Sequence, residues 1–131
     1  DLDDFKQIND RWGHDAGDLV LQETAVRLQA ALREYDTVGR IGGDEFLIIL
    51  GNLSSEEVDI FMIADRLLSA IAQPIEIGAS KVSITASIGG ALYPQQGDDL
   101  FTLRGKADKA MYAVKQSGKN SFRIHSETAD Q

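Results

Sequence analysis

The sequence predicts an α/β (α+β) fold in which helices flank a central mixed β-sheet. Three observations lead to this prediction. Apolar residues recur at helical spacing in long segments, short alternating or apolar runs lie between those segments, and two runs are joined tightly enough to form hairpins. The 131 residues suffice for one domain, which we place at residues 1–125, with a tail or linker at 126–131.

Four helices are predicted, over residues 4–11, 16–35, 55–72 and 99–117. In the three longer ones, apolar residues three and four positions apart form one stripe that should face the core. The residues of these stripes are Leu21, Ala25, Leu28, Leu32 and Tyr35, then Phe61, Ala64, Leu68 and Ile71, then Leu100, Leu103, Ala107, Ala110 and Val114. Gly118 is expected to end the last helix.

Strands are predicted between the helices. Residues 81–88 alternate between apolar and polar side chains, which is typical of a strand with one buried face. A hairpin near residues 78–80 should precede it. The run "FLIIL" at 46–50 is apolar throughout and predicts a strand covered on both faces, and residues 121–125 predict a short final strand.

The acidic composition excludes one class of partner. The formal net charge is -8 and the pI is about 4.6, so nonspecific binding to nucleic acid is not expected. There is no cysteine, and no apolar run approaches the roughly 20 residues that cross a bilayer. We therefore expect a cytoplasmic domain, although the parent protein could be membrane-anchored.

Two acidic segments stand out. In "RIGGDEF", residues 40–46, a Gly-Gly pair between two short strands predicts a hairpin turn that carries Asp44 and Glu45. In "DLDDF", residues 1–5, three carboxylates crowd one point. Each has a plain structural interpretation, as a solvated turn and as an acidic helix start. Together they could hold Mg²⁺ or Mn²⁺, which prefer oxygen ligands.

At this point the sequence resembles the GGDEF family of diguanylate cyclases. The matching stretches are "DLDDFKQINDRWGHDAGD" at 1–18, "REYD" at 33–36, "RIGGDEF" at 40–46, "SITASIGGALYP" at 83–94 and "ADKAMYAVKQSGKN" at 107–120. The resemblance implies a nucleotide-cyclase, ferredoxin-like palm and an enzyme that condenses two GTP into cyclic di-GMP and two pyrophosphates. Since one domain holds one GTP, it also implies a homodimer.

The resemblance implies two divalent ions per active site. The metal ligands it implies are Asp1, the carbonyl of Leu2, Asp44 and Glu45. Glu45 also matches the position that activates the attacking hydroxyl, and the catalytic set is Glu45, Asp44 and Lys115. The turn at Gly42 and Gly43 should lie under the α-phosphate and ribose, because glycine lets a phosphate approach the backbone.

The resemblance also implies how GTP is recognised. Asn9 and Asp18 match the pair that reads guanine, and Leu21 should flank the base. The positions matching phosphate contacts are Asp4 and Phe5 through backbone N–H groups, and Lys6, Lys115 and Lys119 through their side chains. Outside this family, ordinary solvated helix positions would explain the same residues. Lys119 departs from the family, which commonly has Arg there, and lysine lacks the bidentate fork.

Arg33 and Asp36 in "REYD" match the family's RxxD inhibitory site for the product cyclic di-GMP. The structural alternative is an i, i+3 salt bridge at a helix end. Relatives usually carry an upstream helix and a first strand, so we expect an N-terminally truncated domain. The alternative function is a catalytically silent module that binds GTP or cyclic di-GMP within a larger signalling protein, with attached sensor or effector domains.

Overall fold

The computed structural model describes residues 1–51, 53 and 56–126. The described residues form two compact units, one within residues 1–85 and the other within residues 86–126. The first contains α1 (Phe5–Trp12), α2 (His14–Ala31), β1 (Thr37–Gly42), β2 (Glu45–Ile49), α3 (Glu56–Ala72), β3 (Ile75–Ile77) and β4 (Ser80–Val82). The second contains β5 (Ser87–Gly90), α4 (Leu100–Gln116) and β6 (Ser121–Ile124).

The predicted α+β class is confirmed, with mixed strand pairing. Within the described residues the strands form three two-stranded ladders: β1–β2 and β3–β4 are antiparallel, and β5–β6 is parallel. The β3–β4 hairpin turns at Gly78, as predicted, with a φ of 60°. The proposed tail begins at Ser126, and residues 127–131 lie outside the described part of the chain.

Helix α2 is shorter than predicted. It ends at Ala31, and Leu32 is extended with φ -91° and ψ 160°. The reason lies in the next four residues, where the Asp36 carboxylate accepts the Arg33 N–H and the Asp36 N–H donates to the Arg33 carbonyl. These local hydrogen bonds offer the backbone an alternative to another helical turn. Tyr35, predicted to face the core, is 56% exposed.

The buried face of α3 matches the predicted stripe at Ala64 and Ile71 and departs from it at Phe61 and Leu68. Phe61 is half exposed and Leu68 is partly exposed. The buried residues are Ile60, Ile63, Ala64, Leu67 and Ile71. Because residues 60–64 are nearly all apolar, the sequence admits either stripe, and packing selects between them. In α4 the predicted stripe holds at Ala110 and Val114, which are buried, whereas Leu100 is exposed.

The strand predictions also need two corrections. Residues 81–88 form the end of β4 and the start of β5, separated by residues 83–86, although Val82, Ile84 and Ala86 are buried as predicted. Strand β2 pairs with β1, and its side chains are half-buried rather than covered on both faces; Ile49 is 52% exposed. An apolar run therefore does not by itself establish a central strand.

Arg27 ties α2 to the C-terminal end of α3. Its guanidinium donates to the carbonyls of Ala70, Gln73 and Pro74 at 3.1, 2.5 and 2.9 Å, and its Nε donates to Glu23 at 3.1 Å. The last carbonyls of a helix have no partner within the helix, so a cation placed there satisfies them. No helix of the described residues has the length and apolar character that a membrane span requires.

In the second unit, Gly89 of β5 lies directly against α4. A Cβ at residue 89 would overlap the Ala107 carbonyl oxygen and the Met111 backbone nitrogen. Backbone atoms of a helix cannot rotate away as a side chain can, so any side chain at residue 89 must push the strand and the helix apart. The close approach of β5 to α4 thus requires glycine.

We expect Gly89→Ala to destabilise the protein by about 2–3 kcal/mol, through that steric overlap. Urea unfolding followed by circular dichroism measures the change. Gly105→Ala is the matched control, because a Cβ at residue 105 of α4 meets nothing within 4 Å. It should leave stability unchanged or raise it by up to about 1 kcal/mol. Equal unfolding midpoints for the two variants would contradict the packing argument.

Candidate active site

The GGDE turn closes the β1–β2 hairpin. Gly42 pairs with Glu45 across it, and a register irregularity between Arg40 and Gly42 places an extra residue, Ile41, on β1. Gly42 and Gly43 have φ values of 147° and 48°, and a Cβ at either would meet nothing within 4 Å. Glycine is therefore needed for the backbone conformation, as predicted, and the open surface beside it leaves the main chain accessible.

The acidic N-terminal segment lies against this turn. The Leu2 N–H donates to the Asp44 carbonyl oxygen at 3.1 Å. The Leu2 side chain is buried, and Asp1 and Asp44 are half-buried. The two acidic segments, which are far apart in the sequence, therefore meet in space at this backbone hydrogen bond.

The donor set at this junction suits a hard cation. Carboxylates and a main-chain carbonyl are the ligands that Mg²⁺ prefers, and Mg²⁺ is commonly held by one or two carboxylates, with water and substrate phosphates completing its shell. Among the described residues no group of three or more Asp, Glu or His side chains is gathered closely enough to hold a metal unaided. The residues present thus fit an ion that arrives with a phosphate-bearing ligand.

The other two carboxylates of the segment differ in burial. Asp3 is 4% exposed, and its carboxylate accepts the Thr85 hydroxyl at 2.7 Å. Asp4 is exposed, has a left-handed conformation with φ 58°, and starts α1 without a side-chain capping bond. A non-glycine residue with positive φ is uncommon outside strained or functional positions. The backbone therefore turns sharply into α1 next to the junction.

Asn9 of α1 packs against α2 at Gly17. A Cβ at Gly17 would overlap the Asn9 Oδ1 and would lie 3.2 Å from the Phe5 ring, so the Asn9 amide packs directly on the residue before Asp18. Asp18 is exposed and Asn9 is half-buried. Asn9 thus lies against α2 at the residue that precedes Asp18.

An open groove of about 470 Å³ runs between α2 and the hairpin. Its lining residues are Asp18, Leu21, Gln22, Ala25 and Gln29 from α2, and Val38, Gly39, Arg40 and Phe46 from the hairpin. Leu21 is 6% exposed, so it serves the core and the groove together. The groove therefore has an apolar floor and two opposite charges, Asp18 and Arg40, on its two walls.

The predicted phosphate-binding lysines occupy different kinds of position. Lys6 is exposed in the first turn of α1. Lys115 is in the last turn of α4, in the second unit, and is half-buried. Lys119 lies beyond α4, which ends at Gln116, as the predicted stop at Gly118 requires. Gly118 has φ 125°, and the Lys119 N–H donates to the Val114 carbonyl, which is the hydrogen bond of a Schellman motif.

Arg33 and Asp36 form a closed ion pair. The Arg33 Nε and Nη2 each donate to the Asp36 carboxylate at 2.8 Å, and the Gly51 N–H donates to it at 3.2 Å. The Arg33 Nη2 also donates to the Gly51 carbonyl, and its guanidinium lies 4.9 Å from the centre of the Tyr35 ring. The Asp36 side chain is fully covered, whereas that of Arg33 is 25% exposed. The pair joins the turn after α2 to Gly51, two residues beyond the end of β2.

Residues 1–121 match the family described as "Diguanylate cyclase, GGDEF domain". The chain belongs to the GGDEF domain family.

Several relatives share this domain. The chain is 44% identical over 122 residues to MucR of Pseudomonas aeruginosa, named a bifunctional diguanylate cyclase/cyclic di-GMP phosphodiesterase. It is 45% identical over 125 residues to the diguanylate cyclase TpbB of the same species. These alignments cover 93% and 95% of this chain but 18% and 28% of the relatives, so the chain spans less than a third of either.

Solved structures agree with the fold. The crystal structure of the TpbB GGDEF domain superposes with a TM-score of 0.91 at 44% identity, covering 96% of this chain and 78% of that one. The GGDEF domain of DgcB from Caulobacter crescentus, solved with cyclic di-GMP, gives a TM-score of 0.84 at 26% identity, with 95% and 73% covered. GGDEF domains have the nucleotide-cyclase palm, so the predicted architecture is confirmed.

Sequence reasoning missed two residues beside the GGDEF turn. The Arg40 Nε donates to the Gly43 carbonyl at 2.9 Å, and Thr85 holds Asp3. The alternation of residues 81–88 assigned Thr85 and Ser87 to an exposed face, but Thr85 is half-buried and Ser87 is fully buried. The position of Arg40, two residues before the Gly-Gly pair, was a sequence signal that could have identified it. Apart from its place in a stretch that resembles the family, no sequence signal marked Thr85.

The Arg33–Asp36 pair predicts an acid-sensitive contribution to stability. The hydrogen bond from the Arg33 side chain, with backbone donors at Arg33 and Gly51, lowers the pKa of Asp36 from 3.8 to about 2. Since the folded pKa lies below the unfolded one, this stability is present above the unfolded pKa and is lost as the pH falls through about 2.

We therefore expect the free energy of unfolding of Asp36→Asn to fall less steeply between pH 5 and 2 than that of the wild type. At neutral pH the substitution should lower the free energy of unfolding by at most about 2 kcal/mol, because Arg33 stays partly hydrated. Thermal unfolding over that pH range measures both effects. Asp65→Asn, at an exposed position of α3, is the control and should retain the wild-type pH profile. Parallel profiles for wild type and Asp36→Asn would contradict the assignment.

Proposed function

We propose that this GGDEF domain is a diguanylate cyclase. Two GTP molecules react, and each 3′-hydroxyl attacks the α-phosphorus of the other nucleotide. Each attack forms one phosphodiester bond, breaks one bond to the leaving pyrophosphate and releases one proton, so the products are cyclic di-GMP and two pyrophosphates. The proposal goes beyond the family assignment, because it assigns the activity to this chain. It takes GTP as the substrate and the cytoplasm as the location.

The hydrogen bond from the Leu2 N–H to the Asp44 carbonyl carries this proposal. It supports a site in which Asp1, the Leu2 carbonyl, Asp44 and Glu45 share two Mg²⁺ or Mn²⁺ ions with the triphosphate. When bound, such ions neutralise the phosphates and lower the pKa of a coordinated hydroxyl. Accessible backbone at Gly42 and Gly43 supports close approach of the α-phosphate and ribose, since no side chain stands there.

The groove beside Asp18 supports guanine as the base. A carboxylate accepts hydrogen bonds from the N1–H and N2–H₂ edge of guanine, and the Asn9 amide beside it can both donate and accept. Adenine lacks that pair of donors, so binding ATP would leave Asp18 without them. Leu21, at the floor of the groove, supplies apolar contact to a base.

Glu45 is the proposed group that holds the proton of the attacking hydroxyl. It pairs with Gly42 across the turn, which fixes its backbone relative to the accessible glycines. Lys115 and Lys119 are proposed to neutralise the β- and γ-phosphates, and Lys6 with the backbone N–H groups of Asp4 and Phe5 to contact the same triphosphate. Because the chemistry needs two GTP molecules face to face, a second copy of the domain must supply the other nucleotide.

Product inhibition is proposed at Arg33 and Asp36. The DgcB domain was solved with cyclic di-GMP, which supports product binding in this fold. In this chain the Asp36 side chain is fully covered by its donors, while Arg33 remains partly exposed. A ligand at this site would therefore meet the Arg33 guanidinium first, and engaging Asp36 would mean breaking the internal pair.

A second candidate is a catalytically silent module that binds GTP or cyclic di-GMP and regulates attached domains. It is favoured by one observation: PdeR of Escherichia coli, 36% identical over 122 residues, is named a cyclic di-GMP phosphodiesterase and not a cyclase. The complete glycine and carboxylate set of the turn favours the cyclase. Wild-type protein that binds GTP or cyclic di-GMP but forms no product would establish the silent module instead.

Changing Glu45 to Gln should lower the rate of cyclic di-GMP formation by at least about 100-fold, because the amide cannot take the hydroxyl proton. Product is measured by chromatography after incubation of the full-length protein with GTP and Mg²⁺, with ATP in a parallel sample. Glu76→Gln, the same change at an exposed position of β3, is the control. More than a tenth of wild-type activity in Glu45→Gln would refute the assigned role.

Changing Gly17 to Ala should weaken GTP binding by about tenfold, since the new methyl group displaces the Asn9 amide and its hydrogen bonds. The preference for GTP over ATP should fall with it. Calorimetric titration with non-hydrolysable GTP and ATP analogues measures both quantities. Gly105→Ala serves as the control at an open position. Unchanged affinity for both analogues would remove Asn9 from the base site.

A further inference from the structure

Asp3 is a buried carboxylate beside the proposed metal site. It is 4% exposed, and its Oδ2 accepts the Thr85 hydroxyl at 2.7 Å. Removing a carboxylate from water is costly, so such groups are seldom buried without specific hydrogen bonds. Core packing alone would be served by an apolar residue at this position. The burial of the Asp3 carboxylate therefore needs an explanation, which must come from the residues that it bonds.

Asp3 and Thr85 are joined at two levels. Besides the side-chain bond, the Asp3 N–H donates to the Thr85 carbonyl at 2.8 Å. The preceding residue, Leu2, donates its own N–H to Asp44 at 3.1 Å. Two consecutive backbone amides are thus bonded to two separate parts of the chain. The Leu2 N–H is bonded to the GGDE turn, and the Asp3 N–H is bonded to Thr85. The peptide that carries the Leu2 carbonyl lies between these two attachments.

From this geometry we propose that Asp3 and Thr85 form a positioning pair for the metal-binding end of the chain. The pair fixes the Leu2–Asp3 peptide, and thereby aims the Leu2 carbonyl and Asp1 at the site shared with Asp44. The inference rests on the proposed function, because it concerns ions that the cyclase would use. Asp3 itself faces Thr85 and acts through its neighbours.

The physical reason is the flexibility of an acidic segment. Asp1, Asp3 and Asp4 repel one another, and this repulsion favours conformations that spread the carboxylates apart. A hydroxyl donor on one of them lowers that cost and holds its backbone in one orientation. Some residues orient metal ligands through hydrogen bonds without touching the metal, and mutating them typically lowers metal affinity by 10–100-fold.

Thr85→Val tests the pair, because it replaces the hydroxyl with a methyl group of similar shape and leaves the Thr85 carbonyl in place. In the full-length protein we expect the Mn²⁺ concentration for half-maximal binding, measured by electron paramagnetic resonance with a non-hydrolysable GTP analogue, to rise about tenfold. Affinity for the same analogue without metal should stay unchanged. Thr85→Ser, which keeps the hydroxyl, should bind Mn²⁺ like the wild type.

Ser83→Val is the matched control, because it makes a similar change at an exposed position two residues earlier. It should leave Mn²⁺ binding unchanged. If Thr85→Val fails to fold, Asp3→Asn is measured in its place and should show the same selective loss of Mn²⁺ affinity. Mn²⁺ affinity within twofold of wild type in the folded variant, or an equal loss in Thr85→Ser, would overturn the proposal.

The outcomes separate this inference from the proposed function. If the wild type binds Mn²⁺ with the analogue and Thr85→Val loses that binding, the positioning pair stands whether or not cyclic di-GMP is formed. If the wild type forms cyclic di-GMP and Thr85→Val binds Mn²⁺ normally, the cyclase stands and the positioning pair falls. A wild type that binds no Mn²⁺ would overturn the positioning pair directly.

Discussion

The contact between the Leu2 N–H and the Asp44 carbonyl is the constraint on which the site depends. It joins two acidic segments that lie more than forty residues apart in the sequence. Carboxylates repel one another, so bringing these segments together is unfavourable unless the backbone holds them and a cation can enter between them. The buried Leu2 side chain keeps the N-terminal segment in place, because leaving the core would expose that side chain to water.

The rest of the first unit serves the two sides of this junction. On one side, the bulge at Ile41 and the two positive-φ glycines give the hairpin a tip with accessible backbone, and Arg40 fastens that tip through the Gly43 carbonyl. On the other side, α1 leaves the acidic segment through the left-handed Asp4 and packs Asn9 against Gly17 of α2. The groove between α2 and the hairpin and the acidic junction are therefore parts of one framework.

Family membership and physical reasoning support each other at different levels. The GGDEF assignment states which chemistry the fold can host, and the hydrogen bonds state which backbone contacts hold the candidate residues of this chain. They also show where ordinary structure competes with function. Arg33 and Asp36 match a product-binding motif, yet in this chain they already satisfy each other and the backbone of Gly51.

The sequence by itself determined the α+β class, the hairpin with its Gly-Gly turn and the approximate positions of all four helices, because these follow from local periodicity and from the backbone freedom of glycine. It could not settle which stripe of α3 is buried, or that α2 stops at Ala31. Those outcomes, and the inward turn of Asp3 toward Thr85, were decided by the tertiary structure. Hydrogen bonds and packing between residues distant in the chain compete there with local preference, and their energies depend on neighbours that spacing alone does not identify.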